Sequence, residues 1–229
     1  MNHPEQVQDP LKPLHRVTEP DPRFQAFQAT LEQQHEELEE IRLHAGVPLH
    51  VRQLFETAKN LSLYSWFVYR FHQVAELMAY TTLERALRER FAHERGMEVE
   101  KVRETLAPLM ETATENGWLK SEHFSTTKNL AYQQLQQEQL IRLIQENRFG
   151  DQPVEVPEVP AAEIIARAAQ LNYVERLAEG IPYLRNHLAH GGPVLHPDSA
   201  STLRIVSEAI NQLFEDIATD GKPDESTEL

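Results

Sequence analysis

The chain has 229 residues, which suits one domain with an elaboration, and 40% of them are apolar, enough to build a sizeable core. Cysteine is absent, which excludes disulfides and thiolate metal sites. The formal net charge of −14 repels a phosphate backbone at long range, so the chain is not a general nucleic-acid coat.

The sequence predicts irregular structure at both ends of the chain. Residues 1–22 contain five prolines, which oppose a helix, and we expect a flexible N-terminal segment there. This segment has no basic stretch followed by an apolar one, so no secretory signal is predicted. No part of the chain approaches the ~18 apolar residues that a membrane span needs, and we expect a cytoplasmic protein that does not enter a membrane. Residues 219–229 predict a disordered acidic tail.

Residues 23–46 predict an N-terminal helical arm. Its apolar residues follow one another at steps of three and four, with one polar residue among them, and Gly46 and Pro48 close it. Two interpretations stay open at this point: the arm packs on its own bundle, or it joins two chains. The apolar residues of the seam are Phe24, Phe27, Leu31, Leu38, Ile41 and Ala45.

Helical periodicity continues through residues 47–218, and no convincing strand appears. We expect an all-α fold, an antiparallel helical bundle with a helical insertion at about 97–150. The helices predicted in the first part of this region lie at about 50–93 with a break near 60–62, at about 99–115, and at about 127–147.

The last third of the chain begins with an extended connector at 151–160, which contains three prolines. The next helix is predicted to follow Pro160 and to be interrupted by Gly180 and Pro182. The final helix is expected to begin near Asp198 or Ser199, since both are good N-caps.

Polar side chains concentrate just before that final helix, in the segment 181–192, IPYLRNHLAHGG. The apolar residues Ile181, Leu184 and Leu188 have helical spacing and are predicted to face the core. The other faces carry Arg185, Asn186, His187 and His190.

Arg185 and His190 are the residues of this segment that suit RNA cleavage. The carbonyl end of a helix favours a protonated imidazole at His190, and Arg185 offers a planar fork that fits a phosphate. A histidine of this kind could take the proton of a ribose 2′-OH while the guanidinium stabilises charge on the phosphorus oxygens. On an ideal helix the two side chains diverge by roughly 140°. They converge only if the helix ends at Gly191, if the arginine bends round, or if a second copy supplies one of them.

The pattern Arg-Asn-x-x-x-His, ending a helix and followed by Gly, resembles the R-x4-6-H motif of HEPN domains. The resemblance extends to the helix containing 84–88, ERALR, and to the amphipathic helix after the motif, and covers about 48–95 and 160–217. It implies a helical bundle that dimerises and brings two motifs together. Many such proteins are metal-independent endoribonucleases used as toxins or in phage defence, and others are binding modules without activity.

Supporting residues are weaker candidates. Glu84 lies in an apolar row, where a carboxylate forms a buried ion pair or orients Arg185. The basic stretch around Arg88 predicts either a surface of i,i+4 ion pairs or an RNA contact. His187 is predicted to face solvent or an interface. The basic stretch comprises Arg85, Arg88, Arg90, His93 and Arg95.

The sequence thus favours a homodimeric, metal-independent endoribonuclease with Arg185 and His190 as the catalytic pair, Asn186 positioning the phosphate or the histidine, and RNA as substrate. An antitoxin or another partner protein is a further expectation. No cofactor is expected, and no metal, because the spacing of His187, His190 and His196 matches no strong zinc pattern. The alternative is a non-catalytic helical module that binds a protein or nucleotide partner, which the charge of −14 favours.

Overall fold

The structure is a computed structural model, and it describes residues 9–27, 30–146, 157–192 and 198–217. In these ranges the chain forms α-helices and short 3-10 helices and no strand, which confirms the all-α class. None of the described helices combines the length and the apolar character that crossing a bilayer requires. The predicted acidic tail, residues 1–8 of the N-terminal segment and residues 151–156 of the connector lie outside the described residues.

The described chain contains eight α-helices and four 3-10 helices. The α-helices are α1 (Leu31–Glu40), α2 (Leu49–Tyr64), α3 (Phe71–Arg95), α4 (Leu106–Glu115), α5 (Ser125–Glu146), α6 (Ala161–Ala168), α7 (Tyr173–Ala189) and α8 (Ser199–Phe214). The 3-10 helices are Leu14–Arg16, Pro22–Phe27, Val99–Lys101 and Ser121–His123.

Helix α3 is the centre of the bundle, since it packs against α2, α4, α7 and α8. Leu83 and Leu87 of α3 are fully buried, as are Phe55 of α2 and Ile210 of α8. Burial of this many large apolar side chains, each contributing about 1.5–3 kcal/mol, is what holds the helices together.

The region expected to be an insertion, about 97–150, contributes to this same core. Leu109 and Met110 of α4 are fully buried and belong to the main cluster of core residues. Helix α4 packs on both α3 and α7, whereas α5 pairs with α6 and leaves Ile141 and Ile144 exposed. Residues 99–115 do not form one helix, because residues 102–105 separate the 3-10 helix Val99–Lys101 from α4.

The N-terminal arm is shorter than predicted. Helix α1 begins at a capping box formed by Thr30 and Gln33 and ends at Glu40, so the helix does not extend over 23–46. Leu38 and Ile41 nevertheless belong to the core cluster of this same chain.

Two further boundaries differ from the sequence-based prediction. The break between α2 and α3 lies at residues 65–70, after the predicted 60–62. Helix α7 is not interrupted at Gly180 or Pro182, but runs through both.

The interruption lies instead before α7, at Asn172, whose φ of 42° is left-handed. Asparagine visits this region more readily than most residues. Asn172 makes no side-chain cap. Ser121, the first residue of the 3-10 helix before α5, supplies one, because its hydroxyl accepts hydrogen bonds from the backbone N–H groups of Tyr173 and Val174, at 3.1 and 3.2 Å. This distant cap and the burial of Ile181 stabilise a helix that contains a proline.

Candidate active site at the end of helix α7

Helix α7 ends where the sequence predicts, because Gly191 adopts a left-handed φ of 74° and reverses the chain. The N–H of Gly192 then donates to the carbonyl of His187 at 2.9 Å. A Cβ at Gly192 would lie 2.1 Å from Nε2 of His187, so the backbone passes directly against the imidazole. The double glycine therefore allows a close turn after the Arg-Asn-x-x-x-His segment.

Arg185 points from α7 towards α3. Its Nη2 donates to Oε2 of Glu84 at 3.2 Å, and its Nη1 lies 3.3 Å from Oδ1 of Asn186. The Nε atom is buried and has no hydrogen-bond partner. About a third of the side chain, 34%, is exposed. The guanidinium is thus held on one side and keeps an unused donor.

Glu84 joins two arginines. Its Oε1 accepts from Nη2 of Arg88 at 3.0 Å, while Oε2 accepts from Arg185. Arg88 also donates to the carbonyl of Val102 at 2.8 Å, which fixes its position. Glu84 therefore fits both predicted interpretations, since it forms a largely buried ion pair and also orients Arg185.

Arg185 and Asn186 line a small pocket of about 190 Å³ between α7, α3 and the start of α4. Glu84 contributes a carboxylate to its wall, and Pro182 contributes its ring. The remaining lining residues are Thr105, Leu106 and Ala107.

His190 lies outside this pocket. It follows the last residue of α7 as the C-cap, is exposed, and its N–H donates to the carbonyl of Asn186 at 3.0 Å. The early helix end at Gly191 does not bring the two predicted catalytic residues into one pocket of a single chain, because Arg185 turns towards Glu84.

His187, which is half-buried, and Tyr183, which is exposed, form an aromatic pair on α7. Their rings are nearly parallel, with an interplanar angle of 14° and centroids 6.2 Å apart. Tyr183 is 69% exposed, and Leu184 beside it is 44% exposed. The prediction that Leu184 faces the core was wrong, whereas Ile181 is buried and Leu188 packs partly against the core.

A groove of about 380 Å³ between α4 and α7 borders the site and is acidic. Glu111 and Glu115 line it from α4, and Glu175 and Glu179 line it from α7. The negative charges of these four carboxylates repel phosphates, so an RNA strand bound at Arg185 would not extend along this groove.

The basic stretch of α3 forms ion pairs along its own helix. Arg85 pairs with Glu89, Arg88 with Glu84 and Arg90 with Glu94, each four residues apart. These contacts confirm the prediction that the basic stretch forms i,i+4 ion pairs along the helix surface. Arg90 is also largely buried and donates to the carbonyl of Leu213 at 3.0 Å, near the end of α8.

Sequence reasoning missed a buried polar network between α2, α3 and α8. His72 contacts the hydroxyl of Ser199 at 2.7 Å through Nδ1 and that of Ser65 at 3.0 Å through Nε2. Ser199 in turn contacts Ser62 at 2.7 Å. Burial lowers the pKa of His72 to about 4, so the imidazole is neutral at neutral pH.

Glu76 lies one turn further along α3. Burial, with a smaller contribution from the negative charge of Asp198, raises the pKa of the Glu76 carboxyl to about 7. The signal in the sequence was a histidine and a glutamate four residues apart in the largely apolar first ten residues of α3.

In the part of the chain that the structure describes, which excludes His196, no cluster of three or more His, Asp or Glu side chains could hold a metal ion. The sequence matches no protein-family model and no curated protein, and no solved structure matches it. The resemblance to HEPN domains therefore stays a prediction.

Proposed function

We propose that this protein is a metal-independent endoribonuclease of the HEPN type, acting as a homodimer. The observation that carries the proposal is the end of α7. Arg185 and Asn186 line a pocket there, and His190 stands exposed one turn later. A guanidinium and an exposed imidazole on one helix end are the groups that RNA cleavage without metal requires.

Two chains are needed for this chemistry, because His190 lies outside the pocket that Arg185 of the same chain lines. A dimer that pairs the two helix ends about a twofold axis would set Arg185 of one chain opposite His190 of the other. Tyr183 and Leu184, which are exposed on α7, supply apolar area for such a contact.

The reaction follows from these groups. A neutral His190 removes the proton of the ribose 2′-OH, and the 2′-oxygen attacks the neighbouring phosphorus. The guanidinium of Arg185 stabilises the charge that develops on the phosphorus oxygens, and Asn186 positions the phosphate. The bond to the 5′-oxygen breaks, that oxygen takes a proton from water, and His190 returns the proton that it removed to the solvent, so each site needs one Arg185 and one His190. The products are a 2′,3′-cyclic phosphate and a 5′-hydroxyl.

The test uses single-stranded RNA in EDTA with wild type, Arg185→Ala, His190→Ala and the control His93→Ala, an exposed histidine at the end of α3. Wild type and the control should cleave, and both site variants should not. Mixing the two inactive variants should restore about a quarter of wild-type activity, because half of the dimers are mixed and each carries one complete site. Cleavage by His190→Ala at the wild-type rate would contradict the proposed mechanism.

A second candidate function is a non-catalytic module that binds a partner protein or nucleotide. The contact between Arg185 and Glu84 favours it, since a guanidinium engaged by a carboxylate serves as a strut between α7 and α3. The net charge of −14 and the acidic groove also favour it. In that case Arg185→Ala lowers the melting temperature, and wild-type protein cleaves no RNA.

A further inference from the structure

The N-terminal segment forms a strap, residues 9–20, over the turn between α2 and α3. At one end, Asp9 pairs with Arg23 and Arg70. At the other end, the N–H of Asp21 donates to the carbonyl of Trp66 at 2.8 Å. The strap is therefore attached to the rest of the chain on both sides of its middle portion.

Between these attachments the strap is barely packed. Leu11 is 97% exposed and Leu14 is 90% exposed. The polar contacts of the middle portion stay within the strap, where Lys12 donates to the carbonyl of Glu19 and Arg16 pairs with the Glu19 carboxylate. The strap therefore leaves an open space between its middle portion and the turn that joins α2 to α3.

That space is a cavity of about 460 Å³, the size of ordinary small-molecule sites. Its floor is the turn after α2 and the start of α3, with Phe67, Val68 and Phe71, and Pro10 and Val17 of the strap face them. An apolar ligand body fits this lining, because its transfer from water is favourable.

One end of the cavity carries a two-arginine fork, Arg23 and Arg70, that holds the carboxylate of Asp9. Nη2 of Arg23 lies 2.5 Å from Oδ1 of Asp9, and Nε of Arg70 lies 2.7 Å from Oδ2. Such charge-assisted contacts to a carboxylate are the strong ones among hydrogen bonds.

Arg23 holds its position without Asp9. Asp21 binds its Nε and Nη2 at 2.8 Å each, and the guanidinium lies 4.2 Å from the centre of the Tyr69 ring. This contact with Arg23 lowers the pKa of the Asp21 carboxyl, so the pair stays charged. The fork is thus prearranged for an anion.

Asp9 is the residue that a ligand could replace on the two-arginine fork. Its φ of 55° is left-handed, a conformation that Asp adopts more readily than most residues but that still costs it some free energy. Its carboxylate is also the only anion that the structure records on Arg70. An external carboxylate would give the fork the same hydrogen bonds and release that backbone.

We propose that this cavity binds a small amphipathic carboxylate, whose acid group replaces the Asp9 side chain on Arg23 and Arg70 and whose apolar body lies on Phe67 and Phe71. A highly charged ligand such as a nucleotide fits less well, because the rest of the lining is mostly apolar, its further cations Lys12 and Arg16 both contact Glu19, and the protein carries a net charge of −14. The site is independent of the proposed nuclease.

The test titrates the full chain with decanoate by calorimetry, and with decanol as the uncharged probe. Decanoate should bind, and decanol should bind at least tenfold more weakly. Arg70→Gln should weaken decanoate binding about tenfold, while the control Arg42→Gln, an arginine exposed beyond α1, should leave it unchanged.

Asp9→Asn gives the sharpest outcome. It removes the competing carboxylate and should tighten decanoate binding several-fold, whereas Phe67→Ala, which removes part of the floor, should weaken it. Equal affinity for decanoate and decanol, no heat with decanoate, or unchanged binding by Arg70→Gln would each overturn the proposal.

Discussion

The guanidinium of Arg185 lies 3.2 Å from the carboxylate of Glu84, and this contact joins two helices across 101 residues of sequence. Glu84 also holds Arg88, and only 14% of its side chain is exposed. One carboxylate therefore fixes the arginine of the proposed site and links α7 to α3.

Replacing Glu84 with Gln should lower the free energy of unfolding by about 1–3 kcal/mol, because two guanidinium groups lose their charged acceptor. Urea denaturation measures this change. The control Glu98→Gln affects the exposed pair with Lys101 and should change stability by less than about 0.5 kcal/mol. Equal effects of the two substitutions would mean that the Glu84 contacts contribute no more than a surface pair.

Ser121→Ala should lower stability by about 1 kcal/mol, because the first N–H groups of α7 lose the hydroxyl that accepts them. The control Ser201→Ala removes an exposed hydroxyl near the start of α8 and should leave the denaturation midpoint almost unchanged. If Ser121→Ala were as stable as wild type, the cap from the distant loop would be dispensable.

Glu76→Gln should stabilise the protein more at pH 8 than at pH 4. The pKa of Glu76 is raised to about 7 in the folded chain, from an ordinary value of 4.5. As the pH rises from 4.5 to 7, the unfolded chain ionises first, so wild type loses stability over this window and keeps the loss above it. Glutamine cannot ionise and avoids the loss. Denaturant midpoints at the two pH values, each relative to wild type, measure the effect, and an equal difference at both would contradict it.

His72 should produce the opposite pH dependence. Its pKa is lowered to about 4 in the folded chain, against 6.5 ordinarily, so its contribution is fully present above pH 6.5 and is lost as the pH falls to 4. The loss amounts to about 3 kcal/mol.

In wild type, stability falls with rising pH because of Glu76 and increases because of His72, and the two effects partly cancel between pH 4.5 and 6.5. Replacing His72 with Gln should therefore leave the Glu76 effect alone. This variant should be less stable than wild type at pH 7, because the contacts with Ser199 and Ser65 change. The gap should narrow as the pH falls to 4. A gap that stays constant would show that His72 does not titrate in this range.

Local sequence signals identified most helices and several of their ends. Apolar spacing predicted α8 with a start near Asp198 or Ser199, and Asp198 is the N-cap, since its side chain accepts from the N–H of Ser201 at 3.1 Å. The glycine after the motif predicted the end of α7. These signals succeed because a helix turn and its cap depend on residues within about four positions of one another.

The same reasoning failed where packing overrides local preference. Pro182 predicts an interruption of α7, yet the helix continues because Ile181 beside it is buried and Ser121 caps its start. Leu184 has the spacing of a core residue but faces outwards, since none of the helices that the structure describes covers its side chain.

By itself, the sequence determined an all-helical chain and a segment rich in Arg, Asn and His at a helix end, because periodicity, caps and left-handed glycines act over a few residues. Only the tertiary structure decided that Arg185 turns to Glu84, that His190 stays outside that pocket, and that α4 belongs to the core. Ion pairs and buried surfaces join residues far apart in the chain, and no local pattern specifies which of them meet.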